Sequence, residues 1–212
     1  MTICGMIKVR KPSGELIILA GSDSEVSTTS HRLHSIENKN KLLKIKDSII
    51  AVSGGGSISE AVEDLLEDKN FLDSIDLCTK KGVRLLGEQI YELFKLMAER
   101  SPIPDIASSA GDLLIATPNN IYKMFPDLAI YSFDDFCSSG IGEESFNGAM
   151  TILLEDLKSD PEITNRKVEM VMTRAIDTAC THVLHCNPPI HLAYPDSSCT
   201  PIRPKTRKKR NG

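Results

Sequence analysis

The sequence predicts an α+β domain in which pairs of helices cover two packed β-sheets. Two observations lead there. Short alternating or apolar runs of strand character open the chain and recur in its middle, and each group is followed by two amphipathic patterns of helical period. The order strands, two helices, strands, two helices, strand sets a helix pair outside each sheet. At 212 residues the chain is long enough to bury a continuous core as one domain, assigned here to residues 1–196, with a polar, basic tail over 197–212.

From Thr2 to Val9 the residues Ile3, Ile7 and Val9 fall on one alternating face, and Lys11-Pro12-Ser13-Gly14 supplies turn chemistry. Glu15 to Ala20, rich in branched residues, pairs back as a strand buried on both faces. A polar segment from Ser22 to Asn40 leads to a second hairpin, Lys41 to Ile45 and Ser48 to Val52, around Lys46-Asp47. After the glycine run Ser53 to Ser57, the residues Ile58, Ala61, Val62, Leu65 and Leu66 recur at helical spacing, with Ser57 or Ser59 available as a cap. Val83, Leu86, Ile90, Leu93 and Met97 give a second helix, closed by Ser101-Pro102-Ile103-Pro104. Strand signals return at Asp112 to Thr117, Ile121 to Phe125 and Leu128 to Phe133. Helical patterns follow at Phe146 to Leu157 and Val168 to Val183, and a last short strand at Ile190 to Ala193.

Composition excludes several classes. Charged residues make up 25% and the formal charge is −4, which argues against disorder and against a nucleic-acid binder. The longest apolar stretch, Leu16 to Ala20, is far short of the roughly 20 residues of a membrane helix. Six scattered cysteines without a disulfide-scaffold spacing, and no signal-peptide pattern ahead of Thr2, lead to the expectation of a cytoplasmic protein. Cys180, His182, His185, Cys186 and His191 lack the paired short spacings of structural zinc, so no metal or other cofactor is expected. The glycine run is not followed by the Lys-Ser/Thr of a phosphate-binding loop. The run Arg203 to Arg210 reads as a solvated terminus.

Thr2 stands directly behind Met1. Removal of that methionine leaves one residue with both a hydroxyl and a free amine, whose reference pKa of about 7.7 to 8.0 lets it accept the hydroxyl proton near neutrality. On residue type alone, Thr2 reads as a strand-starting threonine, Asp23 as a turn aspartate and Lys41 as a solvated hairpin lysine.

Three ordered segments add to that reading. Thr2-Ile3-Cys4-Gly5-Met6-Ile7-Lys8 with Leu19-Ala20-Gly21-Ser22-Asp23-Ser24, then Lys41 through Gly55, then Phe136-Cys137-Ser138-Ser139-Gly140-Ile141-Gly142 with Gly148 beyond, resemble the proteasome β-subunit and HslV family of N-terminal-nucleophile hydrolases. The likeness spans most of residues 2 to 194 and implies a four-layer αββα sandwich. It matches Thr2 to the nucleophile, Lys41 to the lysine beside it, Asp23 to the acidic partner of that lysine, and Gly55 to the oxyanion-binding glycine. Ser53 and Ser57 match positions lining the primary specificity pocket, which implies tolerance of bulky neutral residues. The resemblance further implies a homo- or hetero-oligomeric ring with other proteasome-like subunits, a separate ATPase unfoldase and polypeptide substrates.

The sequence departs from the family pattern in the second half of the site. Ile141 replaces the serine of the family's "G-S-G" turn. By register from Arg174-Ala175-Ile176 the later aspartate falls near Val183, a serine near Cys186, and the following glycines at Pro188 and Pro189; a slip of a few residues brings Asn187 into play. Two functions fit: a threonine endopeptidase, or a non-catalytic subunit that keeps the sandwich as a scaffold. The same nucleophile also suits amide hydrolysis of small molecules.

Overall fold

The computed structural model describes residues 3–24, 26–27, 32–33, 41–53, 56–100, 111–184, 186–195 and 200–201. Strand β1 (Ile3–Arg10) turns back into β2 (Leu16–Ser22), with Gly14 at a φ of 90° supplying the left-handed position of the turn. As the residue pattern requires, β2 is almost wholly buried. Short strands β3 (Val26–Ser27) and β4 (Arg32–Leu33) pair as a ribbon inside the segment read as polar connection. The second hairpin is β5 (Leu42–Ile45) and β6 (Ser48–Val52). Helices α1 (Gly56–Glu67), α2 (Lys69–Ser74) and α3 (Lys80–Arg100) follow. The middle strands are β7 (Leu113–Ala116), β8 (Ile121–Met124), β9 (Ile130–Phe133) and β10 (Phe136–Gly140). Helices α4 (Glu143–Lys158) and α5 (Asn165–His182) lead to β11 (His191–Ala193) and β12 (Thr200–Pro201).

Two five-stranded sheets result, in the orders β10-β1-β2-β11-β12 and β5-β6-β7-β8-β9, and every pairing in them is antiparallel. Strand periodicity sorts the side chains into three cores. Ile3, Ile7 and Val9 face Phe146, Met150, Met172 and Ile176 of α4 and α5. Cys4 and Met6, on the opposite face, meet Ile49, Ala51 and Leu114 between the sheets. Ile50, Val52 and Leu113 pack under Ile58, Val62, Leu86 and Ile90 of α1 and α3. Three cores between four layers make the αββα sandwich that the resemblance implied. Each fully buried Ile, Leu or Phe contributes on the order of 1.5–3 kcal/mol, so the layers are held chiefly by apolar burial.

The short strand β12 adds to β11 within the segment assigned to the tail; residues 202–212 lie outside the described residues. No helix among the described residues is long and apolar enough to cross a membrane.

Candidate active site

Five strand ends meet at one edge of the sandwich. Ile3 opposes Gly140 and Cys4 opposes Ser22, so the start of β1 lies between the ends of β10 and β2. Leu42 opposes Ala51, which brings the start of β5 beside the end of β6. Asp23 follows β2 and Lys41 precedes β5, and their side chains converge at this edge.

Asp23 is fully buried. Its Oδ1 accepts the Lys41 ammonium at 2.7 Å and the Ile3 amide at 3.1 Å, and its Oδ2 accepts the Asn187 amide at 3.1 Å. Its own amide donates to the Ile3 carbonyl at 3.1 Å. A carboxylate removed from water needs such partners, since an unpaired buried charge is destabilising by several kcal/mol. The segment after α5 is fastened to the same place: the Ser24 amide donates to the Asn187 carbonyl at 3.1 Å and the Ser24 hydroxyl to the Pro189 carbonyl at 2.6 Å. Asn187 therefore takes part through its backbone amide, which residue type alone does not reveal.

Thr2 and Gly55 lie outside the described residues, as does the side chain of Ser57. Ser53 is buried at the end of β6 and its hydroxyl meets that of Ser139. Ile141 is 46% exposed, between Gly140 and Gly142. A Cβ on Gly142 would come within 3.0 Å of Cys186 Sγ and 3.1 Å of Ile3 Cβ, so the turn before α4 lies close against the start of β1 and a side chain there would need its neighbours to give by a few tenths of an ångström. Burial raises the Cys180 thiol well above its ordinary value, and the Asp23 charge adds to the effect.

His191 was grouped by sequence only with neighbouring Cys and His residues. Among the described residues no three His, Cys, Asp or Glu groups stand together as metal ligands. His191 instead opposes Ser22 on the face it shares with Ala193, which packs between the sheets. It is buried, and neither of its ring nitrogens nor Ser22 Oγ has a hydrogen-bond partner among the described residues. Burial lowers its pKa, the Lys41 charge lowers it further, and the Asp23 charge opposes both.

No protein-family model matches the sequence, and no curated protein matches it. Solved structures do match. BPH from Thiobacillus denitrificans, in complex with epoxomicin, superposes with a TM-score of 0.70 at 18% identity over 91% of this chain and 97% of that one. Anbu (ancestral beta-subunit) from Yersinia bercovieri gives 0.61 at 13% over 90% and 80%, and eukaryotic HslV from Trypanosoma brucei gives 0.59 at 14% over 89% and 97%. The fold is that of proteasome-like N-terminal-nucleophile hydrolases.

Proposed function

We propose that this chain is a threonine-type peptidase subunit of a proteasome-like assembly, with Thr2 as nucleophile once Met1 is removed. One observation carries the reading: a single buried Asp23 oxygen holds both the Lys41 ammonium and the amide of Ile3, the residue covalently joined to Thr2. A cation held that close to the chain's start disfavours a second positive charge on a neighbouring amine, leaving it neutral and basic.

In the proposed reaction the Thr2 amine takes the hydroxyl proton as the oxygen attacks the scissile carbonyl carbon, and the carbonyl oxygen becomes an oxyanion. The Gly55 amide stabilises that charge; loss of such a donor typically costs roughly 10²–10³ in rate. Collapse breaks the C–N bond, the proton passes to the leaving amine, and an ester to Thr2 remains. Water, deprotonated by the same amine, then releases the acid and restores the hydroxyl. Polypeptides are the proposed substrates, the proposed partners are further proteasome-like subunits and a separate ATPase unfoldase, and no cofactor takes part.

Intact mass after exposure to epoxomicin, the ligand of the Thiobacillus BPH structure, tests the reading. The expected result is a subunit lacking Met1 that gains one inhibitor mass, with no gain in Thr2→Ala. Retained Met1, or equal labelling of the variant, overturns it. A non-catalytic subunit is the second reading, favoured by Ile141 at the turn where the family carries a serine; it expects no adduct in either protein.

A further inference from the structure

Across β1 from the end of β2, the two sheets are joined by a chain of polar groups. The Ser139 hydroxyl donates to Asp112 Oδ2 at 2.8 Å. Lys123 holds the same carboxylate oxygen at 3.0 Å, and also donates to Glu143 Oε1 at 2.9 Å and to the Ser138 carbonyl at 2.9 Å. Burial by itself depresses the Lys123 ammonium, but its hydrogen bonds to Glu143 and Asp112 outweigh that and raise its pKa. Asp112 is thus a fixed acceptor, held by Lys123 and Ser139.

The Ser53 and Ser139 hydroxyl oxygens are in direct hydrogen-bond contact. Each hydroxyl has one proton. Ser139 commits its proton to Asp112, so in the contact between the serines Ser53 donates and Ser139 accepts; the Asp112 carbonyl, at 3.5 Å, is a longer second acceptor for the Ser53 hydroxyl. The chain of donors runs one way, from Ser53 through Ser139 to the carboxylate that Lys123 holds.

Its location gives it a consequence. Ser139 opposes Cys4, two residues after Thr2, and Ser53 stands two residues before Gly55. The Cys4 thiol adds a second, weaker contact to the Val52 carbonyl at 3.7 Å. We propose that Ser139, aimed by Asp112 and Lys123, is a positioning residue that acts through Ser53 to set the spacing between the start of β1 and the chain leading to Gly55. Its effect on rate rests on the peptidase reading. The spacing itself does not.

Hydrogen exchange by mass spectrometry on the full chain decides the matter, comparing wild type with Ser139→Ala, Ser53→Ala and the double variant. The expected result is exchange about tenfold faster or more in peptides covering β1 and β6, with α5 unchanged. Because the contact between the two serines is lost in either single variant, the double variant is no worse than Ser139→Ala alone. Should Ser139→Ala fail to fold, Ser53→Ala carries the same test. Unaltered exchange in β1 and β6, or additive single effects, overturns the proposal. In peptide hydrolysis the variants are expected to lose roughly 10- to 100-fold in kcat with KM within about twofold. A wild type inert toward peptides rejects the peptidase reading, and exchange in β1 and β6 still decides the coupling.

Discussion

Lys41 and Ile3 converge on one oxygen of Asp23, the ammonium at 2.7 Å and the backbone amide at 3.1 Å. The pair is secluded, with the Lys41 side chain 11% exposed and that of Asp23 fully buried. Its energetics are therefore those of a buried ion pair, in which losing one partner leaves a stranded charge. Lys41→Met is expected to destabilise the chain by about 3 kcal/mol, and adding Asp23→Asn to restore part of that loss, because both charges are then gone. Urea denaturation of the three proteins checks this. Additive losses in the double variant would contradict it.

His191 gives stability an acid limb of defined sign. Its folded-state pKa lies below the ordinary 6.5, through burial and the Lys41 charge against the opposing Asp23 charge. Below that ordinary value the unfolded chain takes up a proton that the folded chain refuses. Stability accordingly falls as pH drops through about 6.5, until the folded-state value is passed. His191→Leu is expected to flatten the wild-type decline in thermal midpoint between about pH 7 and about pH 5. Because it also removes two unpartnered buried nitrogens, its midpoint at neutral pH should equal or exceed that of wild type.

Lys123 acts at the other end of the scale. Its hydrogen bonds to Glu143 and Asp112, prevailing over burial, raise its pKa above the ordinary 10.5. The stability it contributes is present in full below that ordinary value and is lost as pH rises through the folded-state value. Lys123→Met is expected to be less stable than wild type at neutral pH, with the gap narrowing above about pH 10.5. Denaturant midpoints at several alkaline pH values read the difference directly.

The layers were legible because apolar periodicity is strong. Ile3, Ile7 and Val9 at period two, and Val83, Leu86 and Ile90 at helical period, report their own burial. Strand β10 carries no strand signal in the sequence, since Phe136-Cys137-Ser138-Ser139-Gly140 is mostly small and polar and its pairing with β1 is tertiary. Helix α2 buries no residue and so leaves no apolar period in the sequence. At the site, the residue types of Asp23 and Lys41 distinguish them in no way from turn and hairpin residues, and only the family resemblance singled them out. Asp112, Lys123 and Glu143 are far apart in sequence and gather only when β7, β8 and α4 are in place. Their one visible trace is a lysine inside the otherwise apolar run Ile121-Tyr122-Lys123-Met124.

Gly142 tests how tightly the turn before α4 confines the start of β1. Gly142→Ala would bring its Cβ within 3.0 Å of Cys186 Sγ and 3.1 Å of Ile3 Cβ. Overpacking of this kind typically costs about 1–3 kcal/mol. Cys186→Ala introduced alongside removes the sulfur and is expected to recover part of the loss. Thermal melts of single and double variants decide it, and a Gly142→Ala protein as stable as wild type would show that Cys186 and Ile3 give way by the few tenths of an ångström required.

If the residue behind Met1 attacks peptide bonds, the rates of peptide hydrolysis by assembled wild type and assembled Thr2→Ala must differ. Measurable turnover is expected in wild type, with a fall of at least about 10³-fold in the variant. Equal rates in the two proteins would contradict it.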